Sequence, residues 1–155
     1  MRTPSCKIFP CTLTAGRLML TRLCELTNQR VSFAFETTLS GRGYRPWLIE
    51  MRSVGYDIQL DFLWLPEAHQ SIQRVAKRVQ LGGHNIPTEV IQRRHRKGLA
   101  NFFQICRPLL DRWTLFNNTQ LPPQRIAEEC DGTLRVYDLE QFAGAEKLPE
   151  ANSHE

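Results

Sequence analysis

Residues 56–65 read YDIQLDFLWL and are followed by Pro66, and this stretch indicates the class of fold. Apolar and polar residues alternate at first, and the run then becomes continuously apolar, as expected of a β-strand that enters a core. Proline suits the first turn of a helix, because the amide hydrogen that it lacks has no partner there. The sequence therefore predicts a strand followed directly by a helix over 67–81, which ends at Gly82-Gly83.

Further elements are predicted on both sides of this strand–helix unit. Strands that alternate with helices indicate an α/β fold with a parallel sheet, in which ligands bind at the carboxyl ends of the strands. In chain order the other elements are a helix over 14–28, a strand over 31–35, a short helix ending at Gly55, two helices over 88–97 and 99–110 around Gly98, a strand over 112–116, and a weaker hairpin around Asp131-Gly132 before a polar tail that frays from about Ala143.

Composition narrows the class of protein. The chain has 155 residues, 41% hydrophobic and 23% charged, which suits one globular domain with a sizeable core. No apolar run approaches the ~18 residues of a membrane span, and the N-terminus lacks the features of a secretory signal. We therefore expect a cytoplasmic protein with no membrane partner. The five cysteines are odd in number, and neither they nor the four histidines have metal-ligand spacing, so free thiols and no metal site are expected.

A concentration of positive charge lies between residues 74 and 97. The whole chain has a formal net charge of +4, and this one stretch exceeds that surplus. Such a cluster favours an anionic partner, either a nucleic acid or the phosphates of a nucleotide. Its cations are Arg74, Lys77, Arg78, Arg93, Arg94, Arg96 and Lys97, opposed only by Glu89.

The stretch FAFETTLSGR, residues 33–42, ends an apolar run in polar groups. Glu36, Thr37 and Thr38 follow the predicted strand at its carboxyl end. In an α/β sheet that position predicts a ligand crevice lined by these groups. The alternative interpretation is that Glu36 only caps or pairs with a local group.

Three separated motifs resemble the zeta-toxin-type P-loop kinases, in the branch described as predicted ATPases. They are AGRLMLTRLCELTNQRVSFAFETTLSGRGY at 15–44, LWLPEAHQSIQRVAKRVQLGGHNIPTEVIQRRHRKGL at 63–99 and DRWTLFNNT at 111–119. The resemblance covers roughly residues 14–129 and implies part of a P-loop, nucleotide-kinase-like parallel sheet with flanking helices. Residues 1–13 would then be an atypical N-terminal segment, and residues 130–155 a weak hairpin and disordered tail.

The resemblance also implies an activity, the ATP- and Mg²⁺-dependent phosphorylation of UDP-N-acetylglucosamine, and an antitoxin as a protein partner. Glu36 and Thr38 match the Glu and Thr that face the sugar nucleotide in the toxins. Ser40 stands where the toxins have Arg, and Arg42 comes two residues later. This departure puts the identity of the phosphate acceptor in question.

The basic cluster takes on a specific role under the same resemblance. P-loop kinases carry arginines in a lid that closes over the transferring phosphate. Arg78 matches the first lid arginine, and Arg74, Arg93 and Arg94 are candidates for the second. Asn117 and Asn118 follow the strand at 112–116, where the family's loop approaches the adenine.

The phosphate-binding motif of these kinases is missing. G-x-x-x-x-G-K-[ST] does not occur, Lys97-Gly98 being the reverse order, and the family's catalytic aspartate is absent too. The sequence therefore predicts the carboxy-terminal part of such a kinase, inactive alone, with doubtful ATP binding. Two alternatives stay open. One is a nucleic-acid-binding helical module that uses the cluster at 74–97, although GGHNIP is long for a helix-turn-helix. The other is a non-catalytic fragment that acts by association.

Overall fold

A computed structural model describes residues 14–147, which form a mixed α/β fold. The predicted N-terminal segment 1–13 and the end of the tail, 148–155, lie outside the described residues. Helices and strands follow one another in this order: α1 (Thr14–Gln29), α2 (Tyr44–Ser53), β1 (Gln59–Trp64), α3 (Ala68–Gln80), α4 (Thr88–Asn101), a π-helical turn (Phe102–Cys106), a 3-10 turn (Arg107–Leu109), β2 (Arg112–Asn117), β3 (Gln124–Cys130), β4 (Thr133–Val136) and α5 (Leu139–Lys147).

The sheet is mixed rather than parallel. Its four strands lie in the order β1-β2-β3-β4. β1 and β2 pair in parallel, with Leu60 opposite Trp113, whereas β3 and β4 each pair antiparallel with the strand before them. For β3 and β4 the reason lies in the connection, since a tight turn can join only antiparallel strands. Asp131 and Gly132, with φ of 51° and 73°, form such a turn, as the sequence predicted.

The strand predicted over 31–35 is not a strand in this structure. Phe33 and Phe35 are half-buried, while Ser32 and Ala34 are exposed, so the side chains do alternate. No backbone group of residues 32–36 hydrogen-bonds to another group within 14–147. Alternating hydrophobicity predicts which side chains are buried, but a β-strand also requires a neighbouring backbone.

The segment is held by aromatic packing instead. Phe33 lies 6.2 Å from Trp47 and 5.9 Å from Tyr56, measured between ring centroids. Phe35 lies 5.5 Å from Trp47 and 6.0 Å from Tyr44. Since Tyr44 and Trp47 belong to α2, this helix is the support against which the segment packs.

Two helix predictions also need correction. Gly98 does not separate two helices, because it lies inside α4, and the predicted helix over 99–110 is the end of α4 followed by the two turns. The segment expected to fray from about Ala143 is helical as far as Lys147, where α5 ends. Burial of Phe142 and Ala145 against the core explains the order of α5, since its apolar face packs in spite of its polar composition.

The core covers one face of the sheet. Phe102 is fully buried, and its ring centroid lies 5.1 Å from Phe62, 4.8 Å from Phe103 and 5.3 Å from Trp113. Along β1 the residues alternate: Leu60, Phe62 and Trp64 belong to the core, while Gln59, Asp61 and Leu63 are exposed. The core therefore packs against one face of β1, and the other face is open to water.

The cysteines depart in part from the expectation of free thiols. Cys106 and Cys130 are free, and burial raises the pKa of the Cys106 thiol to about 11. Cys24 is disulfide-bonded, which the odd count and the lack of a CxxC pair did not predict. Among residues 14–147, no helix has the length and apolar character needed to cross a bilayer.

We expect Phe102→Ala to lower the free energy of unfolding by about 3–5 kcal/mol, because it removes the ring around which the core packs. Leu121→Ala, at a side chain that is 87% exposed, is the control and should change stability by less than about 0.5 kcal/mol. Urea denaturation measures both. Equal effects of the two substitutions would show that Phe102 is not at the centre of the core.

A candidate ligand cavity beside the sheet edge

A cavity of about 600 Å³ lies beside β1. One wall is formed by every residue from 58 to 65, and another by residues 35–39. The remainder is lined by residues of α2, α3 and α4, including Arg78 and Arg94, and by Ile86 and Leu110. The cavity therefore collects segments that are far apart in sequence, and two of them were singled out from the sequence alone.

The wall at 35–39 is fixed to α4 by its carbonyl groups. The Asn101 side-chain amide, itself buried, donates a hydrogen bond of 2.8 Å to the Leu39 carbonyl. At Gly98 an added Cβ would lie 2.6 Å from the Thr38 carbonyl oxygen. Gly98 is thus needed where the sequence suggested a helix break, because only glycine lets the wall approach the helix so closely.

The hydroxyl groups of this wall hold one another in place. Thr37 Oγ1 donates to Tyr44 Oη at 2.9 Å and accepts from the Leu39 amide at 3.1 Å. Thr38 Oγ1 and Ser40 Oγ lie 3.0 Å apart, within hydrogen-bond distance. The turn is ordered further by the left-handed backbone of Leu39, whose φ is 53°.

The Glu36 carboxylate lines the cavity without a partner from the described chain. It is exposed, and it makes no hydrogen bond or ion pair with another residue of 14–147. Local capping or pairing, the alternative interpretation from the sequence, is therefore not seen within that range. The carboxylate is available to a ligand.

Two of the four predicted lid arginines line the cavity. Arg94 is half-buried and has no carboxylate partner among residues 14–147. Arg78 donates a hydrogen bond of 3.2 Å to the His84 carbonyl, a contact that leaves its charge uncompensated. Both guanidinium groups can therefore bind an anion. Arg93 is exposed and lies outside the cavity lining.

The other predicted residues lie elsewhere. Arg74 donates to the Asn118 carbonyl and lines a smaller cavity of about 280 Å³. The Asn117 side-chain amide donates to Gln141 Oε1 at 2.6 Å, a contact that ties β2 to α5. Neither asparagine lines the larger cavity, and neither do Ser40 and Arg42.

His95, which was not predicted from the sequence, also belongs to the cavity. Its Nε2 lies 2.7 Å from the Leu65 carbonyl oxygen, and the ring lines the cavity at the carboxyl end of β1. A usable signal exists in the spacing, because Ile91, Arg94, His95 and Gly98 fall at i, i+3, i+4 and i+7 on one helical face. The same spacing would have selected Arg94 over Arg93.

The described residues offer no metal centre, since 14–147 contain no group of three or more His, Cys, Asp or Glu side chains placed to hold an ion. Comparisons with protein-family models, with curated proteins and with solved structures found no match to this chain. The resemblance to zeta-toxin-type kinases thus stays a prediction that depends on the quoted motifs.

We expect Gly98→Ala to destabilise the fold by about 1–3 kcal/mol, because the new methyl group would overlap the Thr38 carbonyl. Helix propensity alone predicts the opposite, a gain of about 1 kcal/mol. Gly144→Ala in α5, where an added Cβ meets no atom within 4 Å, is the matched control. Thermal or urea unfolding of both variants decides between the two expectations for Gly98→Ala. A stabilised Gly98→Ala would mean that the wall does not touch α4.

Proposed function

We propose that this chain is the acceptor-side part of a small-molecule kinase of the zeta-toxin type, with a partial P-loop fold, and that its cavity holds a phosphorylated small molecule. A nucleotide or a nucleotide sugar is the class of ligand. The observation that supports the proposal most is the convergence of the two motifs chosen from the sequence. Glu36 and Thr38 line one cavity together with Arg78 and Arg94.

The two sets of side chains, the arginines on one hand and Glu36 with Thr38 on the other, differ in chemistry in a way that suits such a ligand. Guanidinium groups form charge-assisted hydrogen bonds with phosphate oxygens. A free carboxylate such as Glu36 accepts hydrogen bonds from sugar hydroxyl groups, and the Thr38 hydroxyl can donate or accept. A ligand with phosphate at one end and hydroxyl groups at the other would satisfy both.

ATP with Mg²⁺, the cofactor pair that the resemblance implies, does not fit the residues present. A P-loop holds phosphates with backbone amides, a lysine and a Mg²⁺-binding hydroxyl, and G-x-x-x-x-G-K-[ST] does not occur in this sequence. The proposal for this chain alone is therefore ligand binding, without phosphate transfer from ATP. The cytoplasmic location and an antitoxin partner also stay predictions.

We expect Arg94→Ala to weaken the binding of UDP-N-acetylglucosamine or ADP about 10- to 100-fold, because a charge-assisted contact is lost. Arg93→Ala is the matched control, since it removes the same charge one residue away but outside the cavity, and it should weaken binding less than about fivefold. Titration calorimetry at low ionic strength measures both affinities.

The same pair of variants tests the nucleic-acid alternative. A non-specific basic surface loses affinity about equally for each cation removed. Equal losses for Arg93→Ala and Arg94→Ala, with DNA or RNA bound more tightly than nucleotide, would reject the cavity proposal in favour of a nucleic-acid module.

We also expect the 155-residue chain to transfer no phosphate from ATP. Positioning and charge neutralisation supply most of the catalysis of phosphoryl transfer, and the groups that would fix the triphosphate are missing. The assay uses radiolabelled ATP with Mg²⁺ and UDP-sugars. Acceptor-dependent transfer that Glu36→Gln abolishes would contradict this expectation and reveal an unrecognised phosphate cradle.

A further inference from the structure

β1 lies at the edge of the sheet with one side of its backbone unpaired. The Ile58 carbonyl accepts from the Arg112 amide at 3.3 Å and the Trp64 carbonyl accepts from the Asn118 amide at 2.8 Å, so even-numbered residues face β2. Backbone groups of alternate residues point to opposite sides of a strand. The amides and carbonyls of Gln59, Asp61 and Leu63 therefore point away from β2, where no described backbone pairs with them.

This unpaired edge faces the cavity along its whole length. All residues from 58 to 65 line it, and eight residues at a rise of ~3.3 Å span about 23 Å. Arg94 immediately precedes His95, whose Nε2 contacts the Leu65 carbonyl, so a ligand bound to Arg94 lies near that end of the strand. The rest of the space fits an elongated occupant that follows the strand.

The edge also has few of the devices that natural proteins use to prevent strand pairing. Lysine, proline, bulges and short length are common protections. Residues 58–65 contain neither lysine nor proline, and their single charged residue is Asp61. Residues 35 and 36 of the other wall, with residues 32–34 before them, also have no backbone partner within 14–147.

From these observations we propose that the space between β1 and residues 35–39 is a docking slot for an extended strand supplied by another polypeptide. The inference does not depend on the proposed kinase function. The slot binds this strand by main-chain hydrogen bonds to Gln59, Asp61 and Leu63, as in other cases of strand addition.

The surroundings of the slot define the chemistry of the strand. Side chains that share a face with Leu60 and Phe62 meet the apolar residues Leu48 and Ile91. Side chains on the opposite face lie beside Leu63, which is 55% exposed, and so meet water. The partner strand therefore alternates apolar and polar residues. A carboxylate in the strand complements Arg78 and Arg94, which line the same cavity.

The test is amide hydrogen exchange by NMR on the whole chain, with acetylated and amidated heptapeptides that alternate valine and threonine and carry glutamate at one end. Without peptide, the amides of Gln59, Asp61 and Leu63 should exchange fast, while those of Leu60, Phe62 and Trp64 are protected by β2. With the free peptide at about 100 times its Kd, exchange of the first set should slow about 100-fold. A peptide of the same sequence with every backbone amide N-methylated is the matched control and should protect none of them, because it can donate no main-chain hydrogen bond in either strand direction.

Four results would overturn the proposal. In the first, none of the heptapeptides binds at millimolar concentration; in the second, a peptide binds without protecting alternate amides of β1. In the third, the N-methylated peptide protects as well as the unmodified one. In the fourth, the amides of Gln59, Asp61 and Leu63 are already protected in the free chain. If that last protection rises with protein concentration, the occupant is a second copy; if it does not, the chain covers its own edge. Failure of nucleotide binding leaves the exchange pattern unchanged, so the two proposals can fail separately.

Discussion

The hydrogen-bonding capacity of the β1 backbone is the constraint on which the rest of this structure depends. β2 satisfies one side of β1 through the parallel pairing, and the cavity lies along the other side. Unpaired backbone is tolerated where water or a ligand reaches it and is unfavourable where it is buried and dry. The open cavity is therefore a consequence of the sheet ending at β1. The segment at 35–39, which lines the same space, is not part of the sheet and needs another support.

α4 supplies that support and contributes to the cavity at the same time. Asn101 holds the Leu39 carbonyl by a hydrogen bond, and Gly98 leaves space for the Thr38 carbonyl against the helix. One turn earlier Arg94 and His95 line the cavity. Because all four residues belong to one rigid element, the position of the wall and the position of the positive charge are coupled. The distance between Glu36 and Arg94, which a ligand contacting both must match, is therefore set by α4 rather than by a flexible loop.

Much of the secondary structure could be predicted because it depends on local chemistry. The helical spacing before Gln29, the proline that precedes α3 and the Asp131-Gly132 turn each specify a conformation within a few residues. The failures involve distant parts of the chain. A strand over 31–35 would have required a neighbouring strand. Gly98 was predicted to break a helix, but its glycine is needed because the Thr38 carbonyl lies where a side chain would be.

The candidate site was predictable to a similar extent. Glu36 and Thr38 were selected from their place after an apolar run, and both line the cavity. Within the basic cluster, sequence alone did not separate Arg94 from Arg93, because the outcome depends on the rotation of α4 against β1. The Asn117 side chain hydrogen-bonds to Gln141 of α5, and no helix was predicted from the sequence at that place. Contacts between elements, rather than residue types, decided these cases.

The most direct measurement is a nuclear Overhauser spectrum of the chain, observed at the α protons of Gly98. The central claim is that the wall at 35–39 rests on α4 and bounds a cavity against β1. It predicts cross-peaks from these protons to protons of Thr38 or Leu39, and from the Asn101 side-chain amide to Leu39. A folded chain in which α4 gives cross-peaks to Phe62 but none to residues 36–39 would contradict the claim, because the wall and its cavity would then not exist.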